Sequence, residues 1–292
     1  MAVYLCSLYN GAWERRVSLL EALLLGIVQG LTEFLPISST AHVTLMGYVL
    51  GLQPEQHAAE WTAFLASIQL GSLVAVVGYF WNELRGMVAA LWQRGSFSQE
   101  VLRARRLALA VVVGTLPIAL AGLALKPLIE SEATKRLELI IVALLGVTLL
   151  MIAAERRRAP MQRELSHLRW MDALLIGCAQ ALALMPGSSR SGSTIAAAML
   201  LGIARHEAAR FSFLLSIPAI AASGMLQLLE LLAIAAIPPM ALLLSFLGAV
   251  VSSYAAIAFL LRYLRTHTLW GFIVYRLTLA AVLIGFVVAQ HA

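Results

Sequence analysis

Apolar residues run along this chain in long blocks rather than in short alternating patterns. Crossing a bilayer takes about 20 apolar residues, and six blocks approach or reach that length. They span roughly Thr62–Trp81, Leu107–Leu125, Leu137–Ala154, Phe211–Leu232, Ile237–Leu261 and Leu269–Val288. Four others are shorter: Leu19–Leu35, Ala41–Leu52, Ala173–Met185 and Thr194–Ile203. They fall into two pairs, each joined by a polar break, Pro36-Ile37-Ser38-Ser39-Thr40 in one and Pro186-Gly187-Ser188-Ser189-Arg190 in the other. The pattern predicts an all-α integral membrane protein with six full transmembrane helices plus two re-entrant helix–loop–helix hairpins. A loop of Pro, Gly and hydroxyls at bilayer depth carries backbone groups that lipid cannot hydrogen-bond. It is tolerated only when buried in protein or lining a watery cavity. Two such breaks in matching positions point to a binding site between two halves of the chain.

Composition agrees with this placement. Hydrophobic residues make up 61% and charged residues 12%, and mean hydropathy is +0.87. A soluble globule carries about 25% charged residues, so that class is excluded. A net charge of +6 can signal nucleic acid, but here the Arg residues cluster in short loops between apolar spans, which is a topology signal. If both hairpins re-enter, loops 82–106, 155–169, 204–210 and 262–268 share one side of the membrane. They hold 14 of the 21 Lys and Arg residues. The other side holds five, namely Arg15, Arg16, Lys126, Lys135 and Arg136, which leaves Arg190 and Arg276 within the membrane. Positive charge favours the cytoplasm. The first hairpin then enters from outside and the second from the cytoplasm, an inverted-topology repeat.

The halves, roughly 17–154 and 170–289 of a single polytopic domain spanning 1–292, share faint sequence echoes. Gly26-Ile-Val-Gln29 precedes Pro36 as Gly177-Cys-Ala-Gln180 precedes Pro186, and FLASIQLGSLVAVV after Phe64 resembles FLLSIPAIAASG after Phe213. Residues 1–16 read as an N-terminal extension, without the features of a cleaved signal peptide. Cys6 and Cys178 form neither a disulfide framework nor a metal spacing.

The candidate chemistry sits at the breaks. Glu33 is an ionisable group at membrane depth, expensive unless it faces a cavity or a partner. Gln29 lies one helical turn earlier on the same face, and the two offer oxygen ligands to a hard cation such as Mg²⁺ or Ca²⁺. Ser39 and His42 are three residues apart, which on a first helical turn puts hydroxyl and imidazole on one face. Histidine then serves as base for a serine nucleophile or attacks phosphorus itself. Ser38, Ser39 and Thr40 equally suit helix capping. Arg190, between serines and glycines, is planar, permanently charged and bidentate, and so is a clamp for phosphate. Gly187 allows close backbone approach, and Ser188, Ser189 and Ser191 add hydroxyls and amides. Ser193-Thr194 reads as the opening of the next helix. Arg276, beside Tyr275, is either a second anion contact or a structural ion pair. Gly187-x4-Gly192-Ser193-Thr194 mimics a nucleotide-binding loop but lacks its lysine, and no zinc motif is present.

The motifs GIVQGLTEFLPISSTAH (26–42), LMPGSSRSGSTI (184–195), FLASIQLGSLVAVV (64–77), FSFLLSIP (211–218) and Tyr275-Arg276 resemble the undecaprenyl-pyrophosphate phosphatases of the bacitracin-resistance type. The resemblance covers nearly the whole chain. It implies a multi-pass enzyme of the bacterial inner membrane that hydrolyses a polyprenyl pyrophosphate to the monophosphate. That reaction recycles the lipid carrier of peptidoglycan synthesis and confers bacitracin resistance. The family's acidic motif falls on Gln29 and Glu33, its hydroxyl–histidine motif on Ser39 and His42, and its arginine motif on Arg190. It implies a divalent cation near Glu33, with Gln29 a weaker ligand than the Glu of some members. The partners implied are the lipid substrate and the bilayer, with no nucleic acid and room for a homodimer. The expected active site, with catalytic Glu33, Ser39, His42 and Arg190 and substrate contacts from Ser38, Gly187, Ser188, Ser189, Ser191 and Arg276, faces the periplasm. A lipid transporter shares the broken-helix architecture, but has less use for a nucleophile beside a base.

Overall fold

The computed structural model describes residues 17–52, 58–94, 98–125, 127, 136–157, 163–234 and 238–291. The expected N-terminal extension, with Cys6, lies outside them. Among the described residues the chain is all-α. The first hairpin is α1 (Leu19–Glu33) and α2 (Ser39–Val49). Then follow α3 (Ala58–Tyr79), α4 (Trp81–Trp92), α5 (Gln99–Ala124) and α6 (Leu137–Arg156). The second hairpin is α7 (Trp170–Ala181), a 3₁₀ turn at Leu182–Leu184, and α8 (Arg190–Leu200). Three long helices complete the chain: α9 (Arg205–Ile234), α10 (Pro239–Tyr263) and α11 (Trp270–His291).

Five described helices are long and apolar enough to cross a membrane, or six if the segments Phe64–Tyr79 and Trp81–Trp92, bent by 76°, count as one broken span. Lipid-facing side chains fit that reading, since Leu120, Leu123, Val142, Leu149 and Val251 are all more than 60% exposed. Helix α4 falls inside what reads in the sequence as a polar loop. It buries Met87 and Ala90 and leaves Trp92 82% exposed.

Local chemistry sets the hairpins. Ser18 and Glu21 form a capping box that starts α1, with Ser18 N donating to Glu21 at 2.8 Å. α1 stops three residues before Pro36, which disfavours helix in the residue ahead of it. Ser38 and Ser189 are the two non-glycine residues with positive φ among those described, at 75° and 71°. Each is the N-cap of the next helix, and its hydroxyl accepts from the backbone N–H three residues on, Ala41 in one hairpin and Gly192 in the other. Both hairpins end on a positive-φ glycine, Gly51 and Gly202. All these equivalences share one spacing of 151 residues, as do Gly26 with Gly177 and Gln29 with Gln180. The sequence comparison pairs Pro36 with Pro186 at 150, so the hairpins are in step at the serines rather than the prolines. Helix α8 also opens at Arg190, three residues earlier than Ser193-Thr194 suggests, because Ser189 takes the cap.

The first helix of each half packs on a span of the other, α1 against α10 and α7 against α5. Both contacts depend on glycine. A Cβ on Gly26 would run into the Ser245 backbone, and one on Gly177 into the Gly114 backbone. Small residues let membrane helices approach this closely. Phe34, just after α1, meets Phe213 of α9 edge-on, with ring centroids 5.0 Å apart.

Glu155, near the end of α6, ties α6 to the starts of α9 and α11. Its carboxylate accepts from Arg205 Nε at 2.8 Å and Nη2 at 2.6 Å, and from the Leu269 amide ahead of α11 at 2.7 Å. Replacing it leaves Arg205 and that amide without their acceptor. Glu155→Ala is expected to lower stability by about 3 kcal/mol, the range for breaking a buried pair. The unfolding midpoint of the purified protein in detergent measures this.

Candidate active site

Two loop breaks and one distant helix build the site. From the first hairpin, Glu33 projects off the last turn of α1 and is 7% exposed. Its Oε2 accepts from Gln29 Nε2 at 2.6 Å and from Ser39 Oγ at 2.7 Å. From the second hairpin, Arg190 reaches across and pairs through Nη2 with Glu33 Oε1. Arg190 Nη1 also donates to the Ser216 carbonyl of α9 at 3.4 Å. Acid, hydroxyl and guanidinium, 157 residues apart at their extremes, thus share one carboxylate. Ser191 adds a second bridge between the hairpins, its hydroxyl donating to the Leu35 carbonyl at 3.0 Å.

The expected Ser39–His42 pairing takes a different form. His42 Nδ1 lies 2.7 Å from the Ser38 carbonyl, and Nε2 lies 2.7 Å from the Tyr275 hydroxyl of α11. Ser39 turns instead to Glu33. The cause is the capping geometry: Ser38, not Ser39, is the N-cap, which places its carbonyl under the ring four residues on.

The other expected residues take distinct places. Ser38 is buried, and its hydroxyl caps α2. Gly187 has φ of 92° and presses so closely on the Ile140 backbone of α6 that a side chain has no space. Ser188 is buried with its hydroxyl on the Met185 carbonyl. Ser189 caps α8, and its hydroxyl lies 3.3 Å from that of Ser191. Helices α2 and α8 therefore both begin at the breaks, and their first N–H groups favour anions there.

Arg276 is fully buried. It donates from Nε to Thr148 Oγ1 at 2.7 Å, from Nη2 to the carbonyls of Leu144 at 2.7 Å and Ser188 at 3.2 Å, and from Nη1 to Pro36 O at 3.4 Å. One guanidinium thus holds a carbonyl of each break. Arg276→Met is expected to lower kcat/KM by about 10²-fold, near 2.7 kcal/mol, through misplaced loops, and steady-state kinetics on folded variant protein measures it.

Two features escape the sequence. Tyr275 is the hydrogen-bond partner of His42, a contact that its place in the Tyr275-Arg276 motif does not reveal. Gln180, counterpart of Gln29, is fully buried with neither amide atom hydrogen-bonded among the described residues. Four residues on, where Gln29 has Glu33, it has Leu184. The acid belongs to one hairpin and the guanidinium to the other.

Residues 22–282 match the profile of the bacitracin resistance protein BacA family. The chain belongs to the BacA family. Among its relatives, an undecaprenyl-diphosphatase of Myxococcus xanthus is 47% identical over 272 residues, covering 92% of this chain and 89% of that protein. An undecaprenyl-diphosphatase of Syntrophobacter fumaroxidans is 42% identical over 276 residues, covering 93% of this chain and 98% of its own. One from Gloeobacter violaceus is 41% identical, with 94% of each chain covered. In this BacA-family protein the profile runs from within α1 to within α11, so every residue of the site, from Gln29 to Arg276, falls inside it.

Proposed function

We propose that this protein hydrolyses undecaprenyl pyrophosphate to undecaprenyl phosphate and inorganic phosphate. The reaction recycles the lipid carrier for peptidoglycan synthesis and confers bacitracin resistance. The observation that carries the reading is the meeting of Glu33, Ser39 and Arg190 across two membrane-depth loops. A structural ion pair alone has no need of a serine hydroxyl on the same carboxylate, or of two helix N-termini aimed at the place. The relatives' activity and family membership support the same reading.

The diphosphate lies against the breaks with its prenyl tail along the lipid-facing helices. Arg190 gives up part of its hold on Glu33 and takes the terminal phosphoryl oxygens, while the first N–H groups of α2 and α8 face the added charge. Glu33 accepts the Ser39 proton as Oγ bonds to the terminal phosphorus. The phosphoanhydride P–O bond breaks, and undecaprenyl phosphate leaves with that bonding pair. Glu33 passes that proton to the departing undecaprenyl phosphate. Water then attacks the phosphoserine phosphorus, its proton passing to the freed Glu33 carboxylate and on to Ser39 Oγ as the Ser39 O–P bond breaks, and inorganic phosphate leaves. Among the described residues no three His, Cys, Asp or Glu side chains gather as a metal-binding group. The Gln29 amide nitrogen, not its oxygen, faces Glu33, so the two side chains fit a Mg²⁺ or Ca²⁺ ion only with that amide turned over and most of the ion's oxygens coming from substrate and water. Such an ion, held by Glu33 and Gln29, would offset charge on the diphosphate.

Re-entry of both hairpins, with the pocket open to the periplasm, is the topology we propose, supported by the loop charges and by the shared hairpin geometry. Purified protein in detergent, given undecaprenyl pyrophosphate with and without Mg²⁺ or Ca²⁺, tests the function. Stoichiometric phosphate and undecaprenyl phosphate are expected. Intact lipid after incubation with folded protein across cations overturns the reading and leaves lipid transport.

A further inference from the structure

The Tyr275–His42 contact carries chemistry that the proposed reaction has not used. A carbonyl oxygen only accepts, so the 2.7 Å contact with Ser38 O puts a proton on His42 Nδ1. In the neutral ring Nε2 is then a bare acceptor, and the Tyr275 O–H, 2.7 Å away, donates to it. The two rings lie nearly parallel, at 7°. Both imidazole nitrogens are therefore engaged, and neither faces Ser39, whose hydroxyl points to Glu33. Packing alone does not explain Tyr275: it is 45% exposed, while its neighbour Arg276 takes the buried side of α11. The two adjacent residues support the same loop by different routes. Arg276 reaches the Pro36 carbonyl, and Tyr275 reaches the Ser38 carbonyl through His42.

Resting on the phosphatase reading, we propose that Tyr275 is a positioning residue that holds His42 in the Nδ1–H tautomer and thereby sets the turn that presents Ser39 to Glu33. The turn needs such support. Ser38 sits at φ 75°, a backbone region that disfavours a non-glycine residue, and its carbonyl is the atom His42 holds. With the Tyr275 hydroxyl removed, the neutral ring is free to place its proton on Nε2 instead. It then presents a lone pair to the Ser38 carbonyl, the contact turns repulsive, and Ser39 loses its fixed direction. His42 in this arrangement is a strut rather than the base.

Two measurements test this. In the first, ¹⁵N NMR of histidine-labelled protein, with the His42 signal assigned by its loss in His42→Gln, reads the tautomer directly and needs no activity. The wild type is expected to show protonated Nδ1 and bare Nε2 at neutral pH, and Tyr275→Phe to show a shift toward protonated Nε2. A wild type with its proton on Nε2 overturns the proposal. In the second, kcat and KM for undecaprenyl pyrophosphate are measured for Tyr275→Phe, His42→Gln and the double variant. Tyr275→Phe is expected to lower kcat about tenfold, the effect of about 1.4 kcal/mol, with KM within about twofold because no substrate contact is lost. The double variant is expected to match His42→Gln, since Tyr275 acts through the ring. Independent, multiplying losses, or an unchanged kcat in Tyr275→Phe, overturn the proposal. A wild type without phosphatase activity overturns the underlying reaction instead, and the NMR result then judges the hydrogen-bond arrangement by itself.

Discussion

Arg190→Ala is expected to lower kcat/KM for undecaprenyl pyrophosphate by about 10³-fold, near 4 kcal/mol, which is the scale for losing a charged group aimed at a transferring phosphoryl. The side chain is 13% exposed and stands between the two loop breaks, so no neighbouring cation replaces it: Arg276 is committed to carbonyls and Thr148. The substitution also leaves Glu33 as a buried carboxylate without its cation, at a stability cost of about 3 kcal/mol. Arg190→Lys separates the two effects. It restores positive charge beside Glu33 and much of the stability, yet lacks the planar fork that spans two phosphoryl oxygens. Its kcat/KM is expected to remain about 10²-fold below wild type. Kinetics paired with an unfolding midpoint measures both components, and full activity in the Ala variant would remove Arg190 from the reaction.

Glu33→Gln is expected to lower kcat by about 10²- to 10³-fold, the range for removing a general base. The amide keeps the size of the carboxylate and an oxygen that accepts from Ser39, so a site needing only hydrogen-bond geometry would work nearly as before. A base does not survive the change, because an amide does not take the Ser39 proton. Arg190 loses its counter-ion as well, and substrate phosphate then becomes its best available partner. KM is therefore expected to hold or fall while kcat collapses, a split that a merely misfolded site does not produce. Single-turnover phosphate release measures the chemical step without interference from product release.

The elements legible in the sequence are those that make poor sense in lipid. Pro-Ser-Ser breaks, Glu33 and Arg190 carry large costs inside a bilayer, so their presence signals a site. The structure indeed brings Glu33 and Arg190 into contact. Less legible is whatever depends on backbone shape. Ser38 and Ser189 look like ordinary polar residues, and their positive φ gives the structural reason for the 151-residue spacing that Gly26 with Gly177 and Gln29 with Gln180 also carry, against 150 at the prolines. Helix α4 hides because Asn82, Glu83 and Arg85 make its stretch look like a loop, although Met87 and Ala90 are buried. The Ser39–His42 pairing follows from helical spacing alone. The actual partner of His42 is Tyr275, 233 residues away, and no local pattern carries that information. Arg276 is similar: its charge flags it, but its role comes from carbonyls on three separate segments.

The central claim is that Glu33 and Arg190 work as one reactive unit across the two hairpins. The most direct test is phosphate release from undecaprenyl pyrophosphate by wild type, Glu33→Gln, Arg190→Ala and the double variant, each purified and shown to be folded. Residues that act as a unit lose activity together, so the double variant is expected to be little worse than the more damaged single variant. If instead the two losses multiply in full, or if either single variant keeps wild-type turnover, the reaction takes place elsewhere and the pair merely holds two helices together.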